Sequence, residues 1–251
     1  MMSRRESAEE RANARGHEAD GEAPGLAPPE PAVPPDLSDL LGGVQAQIAA
    51  ERGPRAWLRS RATPVRLWLA FALPVLFAVG TVLGFMRPDI AVYPASRMLV
   101  ALSGMVGLFA LEVRAALRPL HRPARPAWAS AATLAAAVLG LLALYLLPFM
   151  HVQPGAPQAQ DLPALLAGAR PCLVLGLVVG SGVFLALGAL DRGGARRAPL
   201  RAAAGGLCAN LVLQLHCPNS ATPHVLLGHY AALVLLAGAA LVWAGIREAR
   251  D

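Results

Sequence analysis

The chain has no lysine: all 22 of its basic residues are arginine. Cysteine is nearly absent at 3 residues, aromatics make up 5% and charged residues 15%. A soluble domain carries charge on about a quarter of its residues, so this balance excludes an ordinary water-soluble globule. The net charge of +6 invites a nucleic-acid reading. Aromatics are too few for that, and none is interleaved with basic residues as a base-stacking surface requires. Enzyme signatures are missing as well. There is no Walker loop, dinucleotide fingerprint, nucleophile elbow or H-E-x-x-H. No paired carboxylates for hydrolysis stand between the apolar blocks on one face, where Asp89 and Asp161 are isolated. The expectation is a non-enzymatic protein with no cofactor.

Apolar sequence in long blocks is what the chain does have, at 55% hydrophobic residues. The blocks lack the polar stripe of a surface helix, so lipid is the solvent they fit. Leu67–Met86 contains no charge and is about as long as a hydrocarbon core is thick. Further blocks run over Met98–Leu117, Trp128–Met150, Cys172–Leu190, Pro199–His216 and His224–Trp243. The fifth is the least apolar, opening on Arg201 and holding Asn210 and Gln214. The predicted fold is all-α: a polytopic membrane bundle of about six transmembrane helices over residues 67–245.

Charge placement orients this bundle. With the N-terminus inside the cell, all arginines except Arg87, Arg97 and Arg170 fall on the cytoplasmic side, as the positive-inside rule requires. Removing the fifth span would put Arg247 and Arg250 outside and spoil the pattern. Both termini are therefore expected in the cytoplasm, with residues 246–251 as a short C-terminal end. Residues 1–35, with six prolines from Pro24 to Pro35 and little to bury, read as a disordered tail. Residues 36–66 follow as a separate segment. Leu37, Leu40, Leu41, Val44 and Ile48 recur there at helical spacing, with Asp36 or Ser38 placed to cap. Five arginines from Arg52 to Arg66 lead into the first apolar block.

Polar residues in and around the blocks are the candidate functional groups. Cys172 and Cys217 fall on the outer face, within reach of one another; Cys208 lies nine residues deeper, about 13 Å along a helix, and is a poor partner for either. The residues leave open a redox-active or structural pair, metal ligation, or two unconnected thiols. His151, His216, His224 and His229 lie on or near the same face and form a weak candidate metal cluster, matching no standard zinc spacing. Asn210 and Gln214 share a helix face and read as helix-packing groups, as does the Gly176/Gly180 pair. Glu112 and Arg114 read as an interfacial pair near a helix end.

An ordered set of short motifs runs through the membrane part. Ala116-Leu117-Arg118-Pro119 closes the second block, and Arg170-Pro171-Cys172 opens the fourth. The turn Arg196-Arg197-Ala198-Pro199 precedes the glycine-bearing AAAGGLCANLVLQL helix, which ends in His216-Cys217-Pro218 before His224 and His229. This set resembles the NrsF-type family of six-helix bacterial membrane anti-sigma factors over about residues 65–245. The resemblance implies a protein of the bacterial inner membrane that holds an extracytoplasmic-function sigma factor and releases it under stress. It implies no direct contact with nucleic acid, and it associates cysteines like Cys172 and Cys217 with sensing. Under it, the apolar face of Leu37, Leu40, Leu41, Val44 and Ile48 is the expected sigma-factor-binding element, in a helix-in-groove mode; without it, the same helix suits packing on the lipid surface equally well. The rival class is a small transporter or metal-handling membrane protein built on the Cys/His residues with Asn210 and Gln214. The spans show no internal repeat of the kind a transporter favours.

Overall fold

A computed structural model describes residues 41–43, 46, 53–119, 125–146 and 162–250. Among these residues the regular structure is helical, with no strand. In chain order the helices are α1 (Pro54–Ser60), α2 (Thr63–Gly84), α3 (Ala95–Ala116), α4 (Ala127–Leu146), α5 (Leu162–Leu190), α6 (Ala198–His216) and α7 (Thr222–Glu248). A 3-10 turn, Ala195–Arg197, leads into α6.

Residues 1–50 form a unit of their own. Within it, Leu41, Gly42, Gly43 and Ala46 are helical and exposed. Leu37, Leu40, Val44 and Ile48 lie outside the described residues, as does the Pro-rich stretch 1–35.

In the second unit, α6 is the hub: α2, α3, α4, α5 and α7 all pack against it. Every residue from Ala198 to Gln214 is buried. This position explains the weak apolarity of the expected fifth span. A helix sheathed in protein has no need of large lipid-facing side chains, and it gains from small ones that admit its neighbours. Among the described residues, five helices (α2, α3, α4, α5 and α7) are long and apolar enough to cross a membrane. The expected fifth span, α6, is not among them. Its 19 residues reach about 28 Å at 1.5 Å per residue, close to the roughly 30 Å of a hydrocarbon core.

Two glycines let α5, α6 and α7 pack closely. A Cβ on Gly205 of α6 would meet the Gly180 carbonyl of α5, and a Cβ on Gly180 would strike Leu236 of α7. Gly176, one turn away, faces Ala232 and Leu213, so the Gly176/Gly180 pair lies where α5, α6 and α7 cross.

The α5 boundary differs from the sequence reading. Arg170-Pro171 marks a helix start by composition, with the block expected from Cys172, yet α5 begins ten residues before Cys172, at Leu162, and runs through Pro171. Glu112 and Arg114 also depart from their expected pairing. Two residues apart on a helix, they face different directions: Glu112 is fully buried, with no hydrogen-bond partner for its carboxylate among the described residues, while Arg114 is exposed.

Candidate functional site

Three elements converge at one end of α6. Cys172 follows Pro171 on α5, Cys217 caps the end of α6, and His224 and His229 lie in the first turns of α7. All four side chains are buried, and their ligand atoms lie within 4.8 Å of one another. The Cys172 thiol donates to Cys217 Sγ at 3.6 Å, and Cys217 Sγ lies 3.3 Å from His224 Nε2.

The two histidines meet because of an irregular turn. Residues five apart on an α-helix point well away from each other. Val225–Tyr230, however, forms a π turn, whose wider winding carries the fifth residue round to the same face. The His224 and His229 rings consequently stand with centroids 5.5 Å apart, edge to face. Gly228 lets this turn approach α5, since a Cβ there would press on the Ala169 carbonyl and on Cys172 Cβ, both at 3.2 Å.

The cluster fits a metal ion. Two sulfurs and two imidazole nitrogens are a donor set for zinc and softer ions. Both ring nitrogens of His229 are buried without a hydrogen-bond partner among the described residues, a cost that a bound ion would relieve. The hydrogen bond from Cys172, with His224 alongside, holds the Cys217 thiol below the ordinary thiol range against the opposing effect of burial. A thiolate is both the ligand and the nucleophile of cysteine chemistry, so the same arrangement suits oxidation of the pair.

Polar groups brace the cluster. Arg87, in the α2–α3 connection, is 1% exposed and forms a two-pronged ion pair with Asp89 at 2.6 and 2.7 Å. It also donates to the carbonyls of Gln214 and Pro218, on either side of Cys217, and covers the Tyr93 ring. Behind the cluster, Asn210 accepts a 2.6 Å hydrogen bond from the Tyr145 hydroxyl. Its amide nitrogen donates to the carbonyls of Gly206 and His229. The centre of α6 is thereby tied to the backbone of a cluster residue.

The remaining candidates lie apart from this group. His216 turns away to the Phe85 carbonyl, 2.7 Å from its Nδ1, and His151 lies outside the described residues. Cys208 is fully buried in the main apolar core. Gln214 is buried and lines a small cavity of about 10 Å³ beside Cys217 and His229. Sequence reasoning passed over Arg87, Tyr145 and Asp191. The Arg87-Pro88-Asp89 spacing was the available signal for the first, because two residues suffice for a fork-shaped ion pair.

Asp191 organises the opposite end of α6. It is fully buried, and the guanidinium groups of Arg197 and Arg201 each lie 3.4 Å from one of its oxygens. The Gly193 backbone N–H donates to it at 2.7 Å. Arg66 of α2 donates to the Leu190 carbonyl, and Arg197 to the Ala116 and Arg118 carbonyls. Contacts to α1 leave from the same place: Arg59 donates to Gly188, and Arg192 to the carbonyls of Arg59 and Arg61.

No curated protein and no solved structure matches the chain. The family model for negative regulators of sigma F matches residues 50–247, which takes in α1 to α6 and all but the last residue of α7. The chain belongs to the NrsF family, negative regulators of a sigma factor.

Proposed function

We propose that this protein is a membrane-anchored anti-sigma factor of the bacterial inner membrane. Its N-terminal segment holds an extracytoplasmic-function sigma factor, and the Cys172/Cys217/His224/His229 cluster receives the releasing signal. The observation that carries the sensing half is the convergence of four buried ligand atoms within 4.8 Å: a bound ion would lock all three elements together, and a disulfide would join the two that carry the cysteines. The fitting signals are soft metal ions and thiol oxidants arriving from the periplasm. The family assignment supports the sigma-factor half, with Leu37, Leu40, Leu41, Val44 and Ile48 as anchors for an apolar groove.

The transport alternative has less support. The cavity beside the cluster holds about 10 Å³, no more than a single water needs, which suits a fixed site better than a substrate path.

Two experiments test the reading. The full-length chain, co-expressed with a sigma factor of its host, should co-purify with it from membranes and release it on exposure to cadmium or a thiol oxidant. Serine at Leu40, Leu41 and Val44 should abolish capture, because each buried anchor contributes about 1.5–3 kcal/mol; unchanged capture at normal protein level would refute the tail's role. Reporter fusions after Arg125 and Arg197 should read as cytoplasmic and a fusion after Asn219 as periplasmic. A cytoplasmic signal at Asn219 would overturn the six-span topology and remove the cluster from the periplasmic side.

A further inference from the structure

A cavity of about 640 Å³ opens between α5 and α7, floored by the first turn of α6. Its volume is that of a small-molecule site. Phe184, Leu185, Leu236 and Ala239 form its walls, so a hydrated solute would gain nothing there. Two arginines mark one end of it. Arg201 is 6% exposed and faces the cavity beneath the Phe184 ring. Its terminal nitrogens reach Asp191 and the Gly194 carbonyl, but its Nε is buried with no hydrogen-bond partner among the described residues. Arg55 of α1 is exposed at the rim.

The charge at this end is unbalanced. Arg197 and Arg201 contact the buried Asp191 carboxylate, Arg66 also feels it together with Arg192, and Arg55 and Arg59 add their charge beside Arg201. Glu248, nearby in sequence to the cavity's Trp243, is already paired with Arg196. An apolar slot that ends in surplus guanidinium groups is complementary to one kind of molecule that a membrane supplies in abundance.

We propose that this cavity is a binding site for an anionic phospholipid. The acyl chains lie between α5 and α7, and the phosphate sits at Arg55 and Arg201 Nε. The proposal rests on the membrane reading above and adds a ligand to it. Basic pockets between membrane helices recognise anionic head groups in this manner. A zwitterionic lipid would bring the same phosphate with an ammonium group, which the surrounding arginines repel. Because Arg55 belongs to α1 and Arg201 to α6, the lipid bridges the juxtamembrane helix to the bundle hub. It therefore steadies the segment through which the N-terminal unit joins the membrane part.

The test is native mass spectrometry of the full-length chain released from nanodiscs containing equal amounts of phosphatidylglycerol and phosphatidylcholine. The wild type should retain phosphatidylglycerol in preference by about tenfold, on the scale expected of arginines near an anionic head group. Arg55→Gln, a change at an exposed side chain, should cut that preference about fivefold at unchanged protein yield. Ala239→Phe, which fills the cavity from the exposed face of α7, should expel the lipid, and millimolar inorganic phosphate should not displace it. Equal retention of both lipids, retention unaffected by Ala239→Phe, or displacement by phosphate would each overturn the site. Lipid that is absent from the wild type but appears once residues 1–50 are deleted would overturn it too, in favour of the chain's own N-terminal segment as occupant. Insertion into nanodiscs without selective retention defeats the lipid site alone, whereas a chain that refuses to insert defeats the membrane reading.

Discussion

The two ends of α6 are built from opposite chemistry. At its C-terminal end, thiols and imidazoles converge on one space, and a strong ion pair there, Arg87–Asp89, stands to the side as a brace. At its N-terminal end, hard charges dominate, and the buried Asp191 carboxylate gathers guanidinium groups from α6 and the turn before it. Soft donors take up and release ligands or electrons under mild conditions. A buried charge network has no such freedom, because losing one member leaves the rest uncompensated. One end is suited to change state and the other to hold shape, and one rigid helix of about 28 Å joins them. On the function proposed above, such a helix would carry a signal received at the thiol end to a fixed platform at the arginine end.

The comparison breaks most visibly at the holding end. Replacing Asp191 by alanine should strand Arg197 and Arg201 without a counter-ion, at a cost of about 3–5 kcal/mol. The expected result is low membrane abundance and a large fall in unfolding temperature in detergent, with the cluster intact. Normal abundance and an altered stress response would instead make Asp191 part of the switch and erase the contrast.

The changing end should behave the other way. Cys172→Ser and Cys217→Ser should each abolish the response to cadmium or oxidant, and the double variant should be no worse than either single one. Protein level should stay near wild type, because Sγ–Sγ contact at 3.6 Å between free thiols contributes little to the fold. Cys208→Ser, deep in the apolar core, should leave signalling intact. A falling protein level in the Cys172 and Cys217 variants, with signalling preserved per molecule, would turn the pair into a structural disulfide. Immunoblotting beside a reporter of the sigma factor's target genes separates the outcomes.

Much of this architecture is legible in the sequence, and what is not has physical reasons. Length and apolarity identify α2, α3, α4, α5 and α7, because lipid-facing helices must be apolar along their whole length. The hub α6 is harder, since a protein-sheathed helix advertises itself by small residues such as Ala202 to Gly206 rather than by hydropathy. Pro171 reads as a boundary, and only the three-dimensional packing of α5 keeps the helix running through it. Cys172 and Cys217 stand out as neighbours from topology, and His224 and His229 as members of the same face. What the sequence hides is that these four converge without His216: H-x4-H brings two rings together only in a π turn, and nothing local announces one. Asp191 reads as an ordinary loop carboxylate because its burial depends on arginines brought in by α6.

The smallest expected effect belongs to the middle of α6, and it asks to which end the middle belongs. The Tyr145 hydroxyl donates to Asn210 Oδ1 at 2.6 Å, and Asn210 in turn donates to the His229 carbonyl. Tyr145→Phe removes one oxygen and keeps the ring, which packs edge-on towards His229 with centroids 6.3 Å apart. Asn210 Oδ1 would then lose a buried donor, for a cost of about 1–3 kcal/mol, below that of Asp191→Ala. Abundance should fall slightly. The informative quantity is the concentration of cadmium that gives half-maximal release of the sigma factor. If Asn210 positions the π turn, a loosened His229 backbone should shift that concentration severalfold at nearly normal protein level, and Asn210→Ala should shift it the same way. If both variants lower stability alone and leave the half-maximal concentration unchanged, the middle of α6 belongs with the arginine end, and the part of the molecule that changes is confined to Cys172, Cys217 and the first turns of α7.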